Sequence, residues 1–258
     1  MAIAQVTGNS ANSATAASIA CGSFNTTTGR IQFIAVVLGS ISSSVTSITD
    51  TGGGSPTISL VVAKNQTNIR VEIWKATGVA TKTGNVFTAN VSPNTTLAIA
   101  AEEYSGSTTV GINGTNSNAG SVNIDQTLLT QDASNFVIGV LGFAAQSGDT
   151  LTATAGTSRQ SSIPAATRPG VALYDQTAVM DETMRIMTRI SASREWASAA
   201  VELRSGGSAA TAGAYGGALV ASLQAAGDTR YLHVTEPLFC QNQNYPPTPG
   251  ANNSGFVA

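Results

Sequence analysis

Charged residues are scarce in this chain of 258 residues. Only 10% are Asp, Glu, Lys or Arg, against roughly 25% in typical soluble domains, and Ser, Thr, Asn, Ala and Gly take their place. The formal net charge of -2 offers no clustered basic face, so no nucleic-acid partner is expected. A surface of hydroxyls and amides is typical of proteins that pack against other copies, although secreted bacterial β-proteins share it.

Long apolar runs are missing too. No window reaches ~18 uninterrupted apolar residues, so no transmembrane span is predicted. The first ten residues lack the basic and apolar segments of a secretory signal peptide, and none is predicted. Together with the scarcity of charge, these absences favour a particle component assembled inside a cell.

Histidine and cysteine are nearly absent. His233 is the only histidine and no Gly-x-Ser-x-Gly motif occurs, so a nucleophilic triad is not expected. No His/Cys cluster or Asp-rich loop offers a metal site. The sequence therefore predicts no catalytic, cofactor-binding or metal-ligating residue. For Cys21 and Cys240, two buried free thiols are favoured over a disulfide that clips the chain ends together.

One motif does suggest an enzyme. Asp50-Thr51-Gly52 is the triplet that carries the catalytic aspartate of aspartic proteases, which need two such carboxylates sharing a proton. Only one copy occurs, and a dimeric enzyme would need an apolar-apolar-Gly segment such as Val137-Ile138-Gly139 or Val140-Leu141-Gly142. Because Gly53-Gly54-Ser55-Pro56 continues the triplet as a turn, Asp50 is predicted to be a turn residue at a hairpin corner.

Two further groups of side chains bear on carbohydrate chemistry. The neighbouring carboxylates Glu102-Glu103 and Asp181-Glu182 point to opposite faces of a strand, so neither pair can flank one glycosidic bond. Four aromatic residues offer a sugar-stacking platform, although packing inside the sandwich is the favoured role for single aromatics on strands: Trp74, Trp196, Tyr104 and Tyr174.

About ten short runs have the alternation or the β-branched composition of strands, with Gly, Pro, Asn and Ser turns between them. They predict an all-β fold, an antiparallel two-sheet β-sandwich with jelly-roll-like connectivity. The runs are 30–38, 45–50, 57–63, 68–76, 85–91, 95–104, 135–145, 149–155, 170–177, 183–191 and 196–204.

Several connections follow from these runs. Residues 107–121, which are rich in Asn and Gly, are predicted to form the longest loop of the domain and a candidate contact loop. Three neighbouring pairs of strands are predicted: 45–50 with 57–63, 85–91 with 95–104 across Ser92-Pro93-Asn94, and 183–191 with 196–204 across residues 192–195.

The chain is divided into a sandwich and two extended arms. Residues 1–17 are small and polar and are predicted to be an N-terminal arm, followed by the sandwich at 18–205. Residues 206–258 are predicted to be a Gly/Ala linker, with one short helix at 218–226, and a C-terminal arm with prolines and aromatics. Both arms are expected to dock on neighbouring molecules.

Four segments of the sandwich occur in a familiar combination: Val45-x-Ser47-Ile48-x-Asp50-x-Gly52, Val71-x-Ile73-Trp74-x-Ala76, Glu103-Tyr104-Ser105-Gly106, and Trp196-Ala197 with Val201-x-Leu203-Arg204. Across about residues 20 to 205 they resemble a β-sandwich module of tailed-bacteriophage virion proteins, of decoration or cement type, that also occurs in bacterial surface proteins. In that module the first segment continues Gly-Asn-Thr-aromatic, where this chain has residues 53–56. The resemblance implies a structural or binding role and no catalytic residues.

The expected function is that of a virion structural protein, a capsid decoration or cement protein that binds between capsid subunits and stabilises the head. Its expected partners are copies of itself in a symmetric homo-oligomer, with a trimer favoured, and the major capsid protein or other virion proteins. Its expected location is the virion, assembled in the host cytoplasm, with no membrane contact, no cofactor and no enzymatic activity. The alternative is a carbohydrate- or receptor-binding module of a phage tail or cell surface.

Overall fold

The computed structural model describes residues 3–107, 109–130, 135–166, 168–177 and 183–205. These residues form fourteen β-strands and no helix, so no membrane-spanning helix occurs among them. Two antiparallel six-stranded sheets pack against each other. The predicted all-β, two-sheet sandwich is confirmed.

The first half of the chain forms the first sheet. Its strands have the order β1-β8-β3-β6-β5, with β4 also paired to β8, while β2 and β7 form a separate two-stranded sheet. The bounds are β1 Ala4–Ala20, β2 Phe24–Thr26, β3 Ile31–Leu38, β4 Ser44–Asp50, β5 Thr57–Gln66, β6 Ile69–Thr77, β7 Lys82–Asn85 and β8 Phe87–Ser105.

The second sheet comes from the rest of the described chain. Its order is β11-β14-β10-β13-β12, with β9 also paired to β14. The bounds are β9 Thr109–Leu129, β10 Phe136–Ala145, β11 Leu151–Ala155, β12 Thr157–Ser162, β13 Arg168–Thr177 and β14 Thr183–Arg204.

The two sheets follow one plan. In each, a long central strand, β8 or β14, pairs along one edge with a second long strand, β1 or β9. Its other edge is shared by two shorter strands, β3 and β4 or β10 and β11. The sheet then continues through β6 and β5, or through β13 and β12. We call residues 4–105 the first half and residues 109–204 the second half.

The strand registers match between the halves as well. Residues 71–74 of β6 and residues 171–174 of β13 hold equivalent positions beside β3 and β10. The next strand has a bulge at the same place, opposite residues 73–74 in β5 and opposite residues 173–174 in β12. Because a bulge shifts every later pair by one residue, this agreement shows that the chain contains an internal structural repeat. We call residues at matching positions twins.

Three apolar clusters stabilise this arrangement. One lies between the sheets and joins alternate residues of β3, β6 and β8 to alternate residues of β10, β13 and β14. The other two lie on the outer faces, where the N-terminal part of each long central strand and its neighbours pack back over the sheet. Twins mark the correspondence: Ile19 lies in the outer cluster of the first half and Ile124 in that of the second.

Two predicted hairpins are wrong for one reason. Residues 85–91 and 95–104 belong to the single strand β8, and residues 183–191 and 196–204 belong to β14. Each strand changes partner midway, from β4 to β3 or from β11 to β10. The polar residues at each change of partner have the composition of a turn, and therefore suggested a hairpin.

Two predicted irregular segments are strands. The supposed arm at 1–17 contains most of β1, which pairs with β8 from Ala4 onward, and the supposed loop at 107–121 contains most of β9. Both are edge strands with small polar side chains, so neither has the apolar alternation of a half-buried strand. The linker, helix and arm predicted for residues 206–258 lie outside the described residues.

Gly142 lies where the two sheets approach each other closely. A Cβ atom at this position of β10 would lie 2.5 Å from Val71 Cγ2 and 2.7 Å from Val37 Cγ1, both in the opposite sheet. Gly142→Val should therefore lower the free energy of unfolding by about 2–3 kcal/mol, since overpacking forces the sheets apart. Urea titration followed by tryptophan fluorescence measures the change.

The matched control is the double variant Val37→Ala with Gly142→Val, which returns space to the same contact. It should be more stable than Gly142→Val alone. Equal stability of the single and double variants would show that this contact does not set the spacing of the sheets.

Candidate functional site

A polar cluster interrupts the apolar core between the sheets. Glu102 and Tyr104 are two residues apart on β8, so both side chains point to the same, inner face. Asp175 on β13 meets them from the opposite sheet, and Arg159 on the edge strand β12 reaches the same group. We call these four residues the inter-sheet polar cluster.

The Tyr104 hydroxyl joins the two carboxyl groups of the cluster. It lies 2.6 Å from Glu102 Oε2 and 3.2 Å from Asp175 Oδ2. Arg159 Nε donates a hydrogen bond to Asp175 Oδ2 at 2.8 Å. Glu102 Oε1 is buried and has no hydrogen-bond partner among the described residues. A single arginine therefore accompanies two buried carboxyl groups.

Burial decides the protonation state of this cluster. Removal from water raises the pKa of Glu102 to about 8, and the charge of Asp175 raises it further, although the Tyr104 hydroxyl acts in the opposite direction. Burial also raises the pKa of Tyr104 well above its usual value. At neutral pH a protonated Glu102 can donate to the Tyr104 oxygen while the Tyr104 hydroxyl donates to Asp175, so one proton completes the chain of hydrogen bonds.

The cluster links the sheets and is closed to substrates in this conformation. Glu102 is 0% exposed and Asp175 is 1% exposed, so neither carboxyl group can contact a bound molecule. The twins of the cluster residues Glu102, Tyr104, Asp175 and Arg159 are, in that order, Val201, Leu203, Lys75 and Val61. Only one of the two equivalent places between the sheets therefore carries the polar cluster.

Glu103 and its twin Glu202 have a different role on the outer faces. The Glu103 carboxylate accepts hydrogen bonds from Arg30 Nη1 at 2.7 Å, from Gln32 Nε2 at 2.8 Å and from the Thr27 backbone N–H at 2.8 Å. Glu202 accepts hydrogen bonds from Asn135 Nδ2 at 2.8 Å and from Arg204 Nε at 3.4 Å. Both carboxylates hold the segment that leads into the first strand beside them. The prediction that Glu102 and Glu103 face opposite ways is confirmed.

The Asp50-Thr51-Gly52 motif forms a turn after β4. Asp50 Oδ2 accepts the Gly52 backbone N–H at 2.8 Å, and Gly53 has a φ of 71°, as expected for an Asp/Gly turn. The predicted hairpin corner is wrong, because β4 pairs with β8 while β5 pairs with β6. The apolar-apolar-Gly segments considered for a protease lie at 137–142 in β10 of the second sheet.

The four aromatic residues considered for sugar stacking are packed. Tyr104, Tyr174 and Trp196 are buried, and partly buried Trp74 packs against the outer cluster of the first half while its Nε1 donates to Glu72. The packing role predicted for them is confirmed.

Of the remaining residues considered in the sequence analysis, only Cys21 lies within the described ranges. Cys21 is buried and free, as predicted, and burial raises the pKa of its thiol. Cys240, His233 and Asp181-Glu182 lie outside the described residues. Within the described ranges no three His, Cys, Asp or Glu residues are placed to hold a metal ion.

The edge strands are a second candidate site that the sequence prediction missed. β1 extends over 17 residues without a charge, and β9 over 21 residues with Asp125 as its only charged residue. Neither contains proline. β-Proteins usually protect such edges with lysine, proline or short strands. The signal available in the sequence was the long, uncharged Ser/Thr/Asn/Gly segment at each place.

Comparisons with known proteins do not assign this site. A scan against family models, a search of curated proteins and a search of solved structures each found no match to the chain. The resemblance to a phage virion module therefore stays a prediction, and function has to be inferred from the geometry of the chain itself.

Proposed function

We propose that the chain is a bacteriophage virion structural protein of the capsid decoration or cement type, acting as a symmetric homo-oligomer that binds between capsid subunits. The observation that carries the proposal is the pair of long edge strands, β1 and β9, which have almost no charge and no proline. Edges of this kind favour pairing with further strands. A protein that acts in an assembly uses such edges, whereas a free monomer needs them blocked.

The interior of the sandwich also suits a mechanical role. Inner and outer faces of both sheets are packed, and buried ionic groups such as Glu103 with Arg30 are paired. The protein would stabilise the head by adding buried surface between capsid subunits against the pressure of packaged DNA. The buried aromatics supply no stacking platform among the described residues, so no observation favours the carbohydrate-binding alternative.

Composition and stability of particles test the proposal. Mass spectrometry of particles from the phage that encodes the chain should detect it in stoichiometric amounts, and particles made without it should release DNA at a lower temperature. A glycan array run in parallel should show no selective binding. Particles that lack the chain, together with selective binding of one glycan, would overturn the proposal in favour of a receptor-binding module.

A further inference from the structure

The internal repeat gives each chain two equivalent edges, and only one of them has side-chain hydrogen bonds to the opposite sheet among the described residues. In the first, β1 runs beside β12, and two side chains of β1 bond to it: Ser10 Oγ donates to the Ser161 carbonyl at 3.0 Å, and Asn12 Nδ2 to Ser162 Oγ at 2.7 Å. In the second, β9 runs beside β5. No hydrogen bond between β9 and β5 occurs among the described residues.

The twin residues account for part of this difference. Thr115 and Ser117 of β9 are the twins of Ser10 and Asn12. The positions that face them on β5 are Ala63 and Lys64, the twins of Ser161 and Ser162. Lys64 has no hydroxyl group to accept a hydrogen bond as Ser162 does. We call the hydrogen-bonded edge of β1 and β12 the closed edge, and the edge of β9 and β5 the open edge.

Two large apolar side chains are exposed on the strands of the open edge, and one, Val6, on β1. Leu60 on β5 is 44% exposed, where its twin is Ser158, and Leu129 on β9 is 58% exposed. These are two of the four large apolar side chains exposed in the described part of the chain. The single carboxylate of β9, Asp125, is bound by both Nε and Nη2 of Arg185 at 2.8 Å.

We infer that β9 is the surface through which two copies of this chain pair, edge to edge, about a twofold axis. An isologous contact places the same strand opposite itself, so any unpaired charge would face its own copy, and β9 has none. Pairing supplies hydrogen-bond partners to the open edge and covers Leu60 and Leu129. This inference favours a twofold dimer, whereas the sequence favoured a trimer.

Sedimentation velocity of the full chain tests this inference. The biological role of the dimer rests on the proposed function, but the pairing itself does not. The parent protein should sediment as a dimer. The double variant Thr115→Lys with Ser117→Lys should raise the dimer Kd by about tenfold or more, because like charges then face each other across the pair. Thr15→Lys with Ala17→Lys, which adds the same charges to β1, should leave the Kd unchanged.

A second pair of variants separates the edge from general surface effects. Leu60→Ser installs the twin residue of the closed edge and should weaken the dimer. Ile41→Ser removes an apolar side chain of the same 44% exposure in the turn between β3 and β4, and should not. Thermal melting of each variant confirms that the sandwich remains folded.

A monomeric parent, or an oligomer unaffected by the β9 lysines but weakened by the β1 lysines, would overturn the inference. Its failure is distinct from failure of the proposed function. A monomer that is nonetheless present in particles would refute pairing through β9 and leave the virion role standing. A β9-dependent dimer absent from particles would support the pairing and refute the virion role.

Discussion

Replacing Glu103 by alanine is expected to lower the free energy of unfolding of the sandwich by about 2–4 kcal/mol, because it leaves a buried amide without its partner and breaks an ion pair whose arginine is 30% exposed. The carboxylate is 0% exposed and accepts hydrogen bonds from Arg30, Gln32 and the Thr27 backbone. Without it, the buried Gln32 amide loses its partner and the Arg30 guanidinium loses its counter-charge. Urea titration at neutral pH measures the loss.

A surface ion pair is the matched control. Asp125→Ala removes a carboxylate that also holds an arginine through two hydrogen bonds, but Asp125 and Arg185 are 30% and 53% exposed. Its effect should stay within about 1 kcal/mol, as for other exposed ion pairs. If Glu103→Ala were as mild as Asp125→Ala, the carboxylate would not be the anchor of the segment that leads into β3.

The parent protein is expected to lose stability as pH rises, and Glu102→Gln should remove this dependence. The pKa of Glu102 is about 8 in the folded protein against 4.5 for the reference value. Between these values the folded state holds a proton that the unfolded state has lost, so the free energy of unfolding falls as pH rises from 4.5 to 8. The proton-linked stability is complete below pH 4.5 and lost above pH 8.

The size of this effect follows from the same two values. A shift of this size corresponds to up to about 5 kcal/mol, so at pH 9 the glutamine variant should be more stable than the parent by several kcal/mol and near its equal at pH 4. Urea titrations across this range provide the comparison. Glu195→Gln, which changes a carboxylate that bonds Asn68 near the surface, should keep the slope of the parent. If Glu102→Gln kept the pH dependence of the parent, the proton that the folded state retains would belong to a different group.

Local patterns in the sequence predicted where most strands lie but not which strands pair. The apolar runs 30–38 and 135–145 correspond to β3 and β10, which lie inside their sheets. The alternation of a strand reports which residues are buried. It does not report that β8 changes partner from β4 to β3 while remaining one strand.

The inter-sheet polar cluster could not be predicted from local sequence patterns, for a related reason. Tyr104 and Asp175 are separated by 71 residues in the sequence, and only the packing of the two sheets brings them together. Glu102 differs from Glu103 by the face it occupies, which depends on the register of β8. Buried partners at this separation are specified by topology rather than by any motif.

The internal repeat, by contrast, left a signal in the sequence. Val71-x-Ile73-Trp74 is followed after 100 residues by Val171-x-Leu173-Tyr174, and Ala100-Ala101-x-Glu103 is followed by Ala199-Ala200-x-Glu202. Both pairs are twins in the structure. A search for apolar and aromatic positions at this spacing would have predicted two similar sheets, and with them the equivalence of β1 and β9.

An image of the native particle tests the central claim, that this sandwich acts as an assembled virion component, most directly. If the proposed function holds, an electron cryomicroscopy reconstruction of particles that carry the chain should show paired sandwiches at symmetry-related positions between capsid subunits, with β9 at the contact between copies. A reconstruction in which every site between capsid subunits is empty of this chain would contradict the claim.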